Sequence, residues 1–270
     1  MKEKVLFDSI PEWIANLPEN STLSWDLSAD QERLPGIDVS RWQGLWDWKA
    51  SKAAGVKFAF VRAGSCTYTS GTCYEDSQYP ENTEGAHQAN MPIGYYWYFR
   101  PNHSPTAQAD YFSNLCLMGE FVIPPVADIE NDGGLSPAKY ADSIKAFLDR
   151  IEKLTGYKPI IYTSASKWAK VEPRPYWGEY DLWVAHWEAS TPLLPEAWKH
   201  WWFWQHSSKG IAADLGGLGS SKYVDLNWFN GDEKDFAAYL GVGQPDLPKS
   251  IGVKVDIEGV KYRGHIDRVD

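Results

Sequence analysis

The stretch that decides the fold is residues 121–164, FVIPPVADIENDGGLSPAKYADSIKAFLDRIEKLTGYKPIIYTS. An apolar run, FVIPPVADIE, precedes a helical pattern in residues 136–156, and a second apolar run, KPIIYTS, follows it. Apolar side chains recur in the middle segment at three- or four-residue spacing, as in an amphipathic helix. Ser136 can cap this helix, and Pro137 suits its first turn. Two strands joined by a helix predict a parallel pair with a right-handed crossover.

The same alternation continues on both sides of this unit. About eight β-rich apolar runs occur in residues 36–231, and helical patterns separate the first five. They are GIDVS, KFAFVRAG, PIGYYWYF, FVIPPVADIE, KPIIYTS, YDLWVAHW, WWFWQHS and YVDLNWF. We predict an α/β fold with a parallel barrel whose helices become sparse after about residue 172. A doubly wound open sheet is the alternative, but no glycine-rich dinucleotide fingerprint follows the first strand.

The two ends of the chain differ from this central region. Residues 1–35 show no long period and are interpreted as an N-terminal lead-in segment. Residues 36–231 are the predicted barrel domain, and residues 232–270 a linker with a small C-terminal β-hairpin. In the segment VKVDIEGVKY, apolar and polar residues alternate, which predicts a strand with one wet face. An isolated hairpin is marginal in water, so it should pack on the barrel, belong to a second module or pair with another chain.

Composition excludes several classes of partner. The net charge of −10 argues against nucleic acid and anionic lipid. No apolar run is long enough to span a membrane, and the first 20 residues lack the apolar core of a signal peptide. We therefore expect synthesis in the cytoplasm, or a mature form whose leader was removed. Cys66, Cys73 and Cys116 fit neither a disulfide framework nor a zinc site; Cys66 and Cys73 flank a short loop and could pair, although free thiols are favoured.

Aromatic residues are the outlier, with 15 Trp, 15 Tyr and 10 Phe. Trp and Tyr offer a flat apolar face with a polar edge, which suits sugar rings. Core packing is the competing interpretation, and the count alone leaves both open.

The tripeptide Asp-Ile-Glu at the end of the decisive stretch carries the candidate chemistry. Asp128 and Glu130 lie two residues apart, on one face of a strand, with Cα atoms roughly 6.5–7 Å apart. In a parallel barrel the carboxyl ends of the strands hold the active site. Repulsion between two carboxylates there raises the pKa of one of them, which favours a general acid for glycosidic cleavage. Salt bridges or a metal site are the alternative interpretations of the pair. The second copy, Asp256 to Glu258, lies on the amphipathic strand and should face water.

Two further carboxylates occur at matching places. Asp38 ends the first predicted strand, and Asp225 lies on the last one. In a closed barrel these strands are neighbours, so both side chains could converge on Asp128 and Glu130.

The motifs, taken in order, resemble those of glycoside hydrolase family 25, the muramidase-type lysozymes. They are GIDVSRWQG, FAFVRAG, PIGYYWYF, AQADYF, VADIE, IIYTS, LWVAHW, WFWQH and VDLNWFNG, and the resemblance covers residues 36–231. It implies a distorted TIM-like β/α barrel with helices missing in the C-terminal part. It also implies cleavage of the β-1,4 bond between N-acetylmuramic acid and N-acetylglucosamine in bacterial peptidoglycan.

The resemblance assigns roles by position. Glu130 is the implied general acid/base. Asp128 is its partner, which either holds the substrate's 2-acetamido group for internal attack or stabilises the cation. Asp38 and Asp225 are supporting pocket carboxylates. The implied substrate groove is lined by three aromatic residues, Tyr96, Tyr162 and Trp187.

Gln205 is either a polar substrate contact or a structural residue. The sequence departs from the family at Trp97, where many relatives have His, and at Arg62, where many have Lys. The candidate carboxylates have no His ligands at a credible spacing, so neither a metal nor a cofactor is expected.

The leading hypothesis is therefore a peptidoglycan hydrolase. A glycosidase acting on chitin-like N-acetylglucosamine polymers and a non-catalytic wall-binding module are the alternatives. The setting could be a phage or prophage lysin, a wall-degrading part of a larger particle, or a secreted enzyme. Self-association through the C-terminal hairpin is possible. Because the protein is acidic, affinity for anionic walls should come from the aromatic groove.

Overall fold

The computed structural model describes residues 33–241, 250–257 and 260–267. Its strands are β1 (Leu34–Val39), β2 (Phe58–Cys66), β3 (Cys73–Glu75), β4 (Ile93–Tyr98), β5 (Val126–Asp128), β6 (Ile160–Thr163), β7 (Leu182–Ala185), β8 (Phe203–Ile211), β9 (Tyr223–Phe229), β10 (Ser250–Ile257) and β11 (Val260–Asp267). Its helices are α1 (Trp48–Ala53), α2 (Tyr79–Gln88), α3 (Pro105–Gly119), α4 (Pro137–Thr155), α5 (Ala165–Trp168) and α6 (Glu233–Gly241), with 3₁₀ turns at Trp177–Glu179 and Ala212–Leu215.

Eight strands close into a barrel in the order β1-β9-β8-β7-β6-β5-β4-β2, and β1 pairs in parallel with β2 to complete it. Each of the eight apolar runs contributes one strand, so the prediction of a distorted TIM-like barrel is confirmed. The short strand β3 was not predicted; it pairs antiparallel with the end of β2.

The direction of β9 corrects the prediction of an all-parallel sheet. This strand runs antiparallel to both of its neighbours, β1 and β8. A parallel partner needs a crossover of a dozen or more residues, usually a helix. The β8–β9 connection holds only the 3₁₀ turn Ala212–Leu215, so the chain returns antiparallel.

Helix α4 follows the predicted pattern, with one difference at its start. Pro137 begins the helix, and Gly156 ends it at a φ of 77°, in the left-handed region that glycine adopts without strain. Ser136 occupies the N-cap position, but its side chain makes no capping hydrogen bond. Its main-chain carbonyl accepts a 2.9 Å bond from the amide of Tyr140, so the backbone and the proline alone start the helix.

The core has two parts, on either side of the barrel wall. Outward-facing strand residues pack against the helices. Inside the barrel, a second apolar cluster fills the end at which the parallel strands begin; it includes Phe58, Phe60, Phe203 and Phe229. Helix α6, which the sequence analysis did not anticipate, adds Phe236 and Leu240 to this cluster. The barrel is therefore plugged at one end, and the domain boundary at residue 231 stays a prediction.

The cysteine pair corrects the expectation of free thiols. Cys66 and Cys73 are directly opposite on the antiparallel strands β2 and β3, and they form a disulfide. The short strand β3, which the sequence pattern does not predict, brings the two cysteines together. Cys116 is a free, buried thiol.

The C-terminal hairpin is confirmed by its backbone pairing. Strands β10 and β11 pair antiparallel from Ser250 with Asp267 to Ile257 with Val260. The side chain of Asp256, all of Glu258 and most of the N-terminal lead-in lie outside what the structure describes. Within the described residues, no helix is both long and apolar enough to cross a membrane.

Candidate active site

The inner surface of the barrel changes from apolar to polar along several strands, as β2 and β9 show. Alternate residues of a barrel strand point inward. The inward row of β2 is Phe58, Phe60 and Arg62, and that of β9, taken in the same direction, is Phe229, Asn227 and Asp225. The polar members lie at the carboxyl ends of the parallel strands. A polar pocket therefore sits above an aromatic plug at the end where barrel enzymes carry their sites.

Asp128 ends β5 and lies deep in this pocket, with 4% of its surface exposed. Its Oδ1 atom has no hydrogen-bond partner among the described residues. Burial raises the pKa of Asp128 well above its usual value, and the charge of Glu130 and a hydrogen bond to it raise the pKa further, while the nearby Arg62 lowers it. Asp128 therefore loses its proton less readily than an ordinary aspartate.

Glu130 is half-buried and lies just past the end of β5. The amide of Ile129 still donates a 2.8 Å bond to the carbonyl of Tyr162, so the strand pairing continues past Asp128. This extension keeps Asp128 and Glu130 on the same side of the chain, as the sequence predicted.

Asp38 and Asp225 face each other across the antiparallel pair β1–β9. The Oδ2 atom of Asp38 accepts 2.9 Å bonds from Gln205 Nε2 and Asn227 Nδ2. Burial raises the pKa of Asp38 to about 6, against the opposing effect of those two donors. Burial, followed by the charges of Asp38 and Glu130, raises the pKa of Asp225 to about 8. The four predicted carboxylates are electrostatically coupled within one pocket.

Gln205 is the centre of the hydrogen-bond network in this wall. Its Oε1 atom accepts from the hydroxyl of Tyr162 and from Nε1 of Trp187, both at 2.9 Å. Its Nε2 atom donates to Asp38. With both ends of the amide bonded to protein and only 4% of its surface exposed, Gln205 orients the other three groups. This arrangement supports the structural alternative for Gln205.

The predicted aromatic residues occupy different depths. Tyr162 is buried, Tyr96 is half-buried, and Trp187 is 52% exposed at the rim. Burial raises the pKa of Tyr96 well above its usual value, and the charge of Asp38 adds to that effect, so Tyr96 stays a neutral hydrogen-bonding group.

Trp183 forms the floor of the pocket, a role that the sequence analysis missed. Its ring stacks on Phe60 at 4.1 Å and lies 4.4 Å from that of Tyr162. Its Nε1 atom donates a 2.8 Å bond to Asn227 Oδ1, so the floor is tied to the donor that holds Asp38. Asn227 was also missed, although it shares a strand face with Asp225 at a spacing of two.

Arg62 supplies a positive charge beside these acids. Its Nε atom is 4.0 Å from Oδ2 of the fully buried Asp76, and its guanidinium lies 5.5 Å from the ring of Tyr98. A β-bulge follows Arg62 in its pairing with β4. The departure at Trp97, in contrast, lies outside the pocket: this side chain packs on Phe112 of α3, and its Nε1 atom bonds Gln108.

Among the described residues, no group of three His, Cys, Asp or Glu side chains is arranged to hold a metal ion. The pocket offers carboxylates, amide donors, tyrosine hydroxyls and indole faces. These groups can exchange protons and contact sugar rings without a cofactor.

The chain is similar in sequence and fold to known glycosyl hydrolases. Residues 37–215 match the family model of glycosyl hydrolases family 25. The chain is 36% identical to lysozyme M1 from Streptomyces globisporus over 217 residues. This match covers 75% of this chain and 70% of that protein. The bacterial lysozyme from Streptomyces coelicolor superimposes with a TM-score of 0.68 at 34% identity, over 78% of this chain and 98% of the other. A muramidase from Acremonium alcalophilum gives a TM-score of 0.64 at 27% identity, over 77% and 98%. This chain belongs to glycosyl hydrolases family 25.

Proposed function

We propose that this enzyme is a muramidase that cleaves the β-1,4 bond between N-acetylmuramic acid and N-acetylglucosamine in peptidoglycan. Family membership and the lysozymes and muramidases among its relatives support a glycoside hydrolase acting on bacterial walls. The observation that carries the residue assignment is the pair Asp128 and Glu130, one deeply buried and one facing the pocket, at the carboxyl end of β5.

Glu130 acts as the general acid and then as the general base. As an acid, it gives its proton to the glycosidic oxygen while the bond to the anomeric carbon breaks. As a base, it takes a proton from the water that attacks that carbon in the second step, while the bond from that carbon to the acetamido oxygen, formed in the first step, breaks. Its half-buried position leaves it open to the bond above the pocket.

Asp128 has two roles. It determines which carboxyl group of the pair carries the proton, and it stabilises the positive charge that develops on the sugar. In the free pocket, burial and the charge of Glu130 oppose ionisation of Asp128. When a sugar binds, its acetamido N–H can bond the Asp128 carboxylate, so that Asp128 ionises and the proton of the pair resides on Glu130. The same contact orients the acetamido oxygen toward the anomeric carbon for internal attack. The unpartnered Oδ1 atom of Asp128 is the acceptor available for that contact.

Glu130→Gln tests the assignment most directly. It should lower turnover of purified peptidoglycan by at least ~10³-fold, because amide Gln cannot transfer the proton. The melting temperature should stay close to that of the wild type. Glu152→Gln, an exposed change on α4, is the matched control and should keep full activity. Near wild-type turnover by Glu130→Gln contradicts the role of Glu130.

Mass spectrometry of the products tests the bond that is cleaved. A muramidase leaves new reducing ends on N-acetylmuramic acid. Reducing N-acetylglucosamine ends, or release from chitin oligomers alone, would point instead to the chitin-type glycosidase. Wall binding without any product would indicate a binding module.

The site of action in the cell is part of the proposal. The Cys66–Cys73 disulfide supports action outside a reducing cytoplasm, because such bonds persist in oxidising compartments. Release as a phage or prophage lysin and secretion both satisfy this condition. Alkylation of free thiols before and after reduction, in protein recovered from its natural source, measures whether the bond has formed.

We also propose self-association through the C-terminal hairpin. Among the described strands, β10 and β11 pair only with each other, so each offers a strand edge to a second copy, while β10 also lies against helix α3. Light scattering of the full chain over a range of concentrations tests this proposal. A monomer throughout that range would contradict it.

A further inference from the structure

We propose that Tyr68, at the rim of the pocket, is an additional substrate-binding residue that holds the glycan strand beyond the sugars at Asp128 and Glu130. The proposal rests on the muramidase function above and extends its site. Tyr68 lies on the loop of residues 67–72, which we call the disulfide loop because Cys66 and Cys73 close it. Neither the family motifs nor the pocket residues include it.

The disulfide loop lies at the same end of the barrel as the catalytic pair. It follows the carboxyl end of β2, whose parallel neighbour β4 ends at Tyr98, the register partner of Asp128 on β5. The charges of Asp128 and Glu130 both raise the pKa of Tyr98, after the larger effect of burial. Tyr98 therefore lies beside the reacting groups.

Arg100 connects Tyr98 to Tyr68. Its guanidinium lies 4.5 Å from the centre of the Tyr98 ring and 5.8 Å from that of Tyr68. Both distances are within the range of cation–π attraction. The two tyrosines flank one cation, so Tyr68 continues the aromatic lining outward from the pocket.

The backbone that carries Tyr68 is fixed at several points. Besides the disulfide, the Thr67 amide donates to the Thr72 carbonyl at 2.9 Å. The carbonyl of Tyr68 accepts a 2.7 Å bond from Nε2 of His103. Gly71, at a φ of 69°, lets this imidazole lie where a Cβ atom would come within 2.6 Å of its Nδ1. A loop of six residues is thus held against the segment that follows β4.

The ring of Tyr68 is 62% exposed although its backbone is fixed. An aromatic ring held in place before binding loses little conformational entropy when a ligand arrives. Its apolar face with a polar edge matches the face of a hexose ring. This chemistry favours the glycan strand over the charged stem peptide as the ligand.

Kinetics of Tyr68→Ala and Tyr68→Phe test the proposal. With polymeric peptidoglycan, Tyr68→Ala should raise KM about 3- to 10-fold and leave kcat within about twofold, since stacking of one aromatic ring is worth about 1 kcal/mol. Tyr68→Phe should retain most of the wild-type KM. Tyr111→Ala, which removes an exposed tyrosine of α3, is the control. An unchanged KM in Tyr68→Ala, or an equal loss in Tyr68→Phe, overturns stacking by this ring.

A binding measurement separates this proposal from the muramidase assignment. Peptide-free glycan strands are titrated into Glu130→Gln with and without Tyr68→Ala. The second change should weaken binding by the same factor as it raises KM. Equal binding by both proteins overturns the role of Tyr68. Absence of turnover in the wild type contradicts the muramidase function and leaves this binding comparison intact.

The disulfide provides a second, independent perturbation. Reduction should free the loop and raise the KM of the wild type toward that of Tyr68→Ala, while Tyr68→Ala itself should be insensitive to the reductant. Cys116 is already a thiol, so Cys66–Cys73 is the bond that the reductant breaks. A wild-type KM that does not change on reduction, or a KM that rises equally in the wild type and in Tyr68→Ala, contradicts positioning of Tyr68 by the disulfide.

Discussion

Two walls of the pocket treat a buried aspartate in opposite ways. On the wall made by β1, β8 and β9, Asp38 is 6% exposed and receives two amide donors. On β5, Asp128 is 4% exposed, and its Oδ1 atom has no partner among the described residues. Burial raises the pKa of Asp38 to about 6, and it raises the pKa of Asp128 well above its usual value. The first wall is completed by protein groups, whereas the second leaves an acceptor atom for the substrate.

Asp128→Asn tests this contrast with the largest expected effect. The amide keeps the shape of the side chain but cannot share a proton with Glu130. We expect kcat to fall about 10²- to 10⁴-fold, in the range of a lost acid–base partner. The melting temperature should hold or rise, because the change removes a buried ionisable group, one oxygen of which has no hydrogen-bond partner among the described residues. Turnover and thermal unfolding are measured on the same preparation; wild-type kcat would place Asp128 outside the chemistry.

Gln205→Ala tests the opposite wall. It leaves the Tyr162 hydroxyl and the Trp187 indole without their acceptor and removes one donor from Asp38. An unsatisfied buried polar group costs about 1–3 kcal/mol, so we expect a clear loss in the free energy of unfolding and roughly tenfold lower activity. Chemical denaturation measures the first quantity. Gln88→Ala, on the exposed face of α2, is the control; similar losses in both variants contradict the network role.

Asp225→Asn tests the coupling between the walls through pH. Burial and neighbouring charges raise the pKa of Asp225 from 3.8 to about 8, so the folded protein binds this proton more tightly than the unfolded chain. The free energy of unfolding should therefore fall as pH rises from about 4 to about 8, and the variant should lose part of that slope. At the upper end of this window, each 1 kcal/mol of destabilisation that the substitution removes should raise the Tm of the variant by about 2–4 °C. Melting curves across the window, with the exposed Asp214→Asn as control, measure the difference; equal slopes would contradict the shift.

Salt should have the smallest effect. The protein carries a net charge of −10, so it has no long-range attraction to an anionic wall for salt to screen. Sedimentation of Glu130→Gln with purified walls at increasing salt measures binding. A steep decrease would indicate a basic contact surface rather than the aromatic groove.

The sequence was sufficient for the eight strands, because each one is a continuous apolar run bounded by turns. It also located the four carboxylates, since each lies near the pocket end of such a run. Asn227 and Trp183 were missed because their hydrogen bond joins β7 and β9, which are separated by β8 and meet only through the interior of the closed barrel. The disulfide was missed for a related reason: β3 has three residues and no pattern of its own.

The antiparallel strand β9 also determines when the enzyme becomes complete. It supplies Asp225 and Asn227, whose partner Asp38 lies 189 residues earlier than Asn227 in the chain. Pairing of such distant segments is slow, because the chain loses the entropy of closing a long loop before the stabilising contacts form. The pairing of β1 with β9 closes the barrel and also assembles one wall of the pocket. A growing chain therefore has no finished catalytic pocket until synthesis has passed residue 227, and barrel closure and maturation of the site are one event.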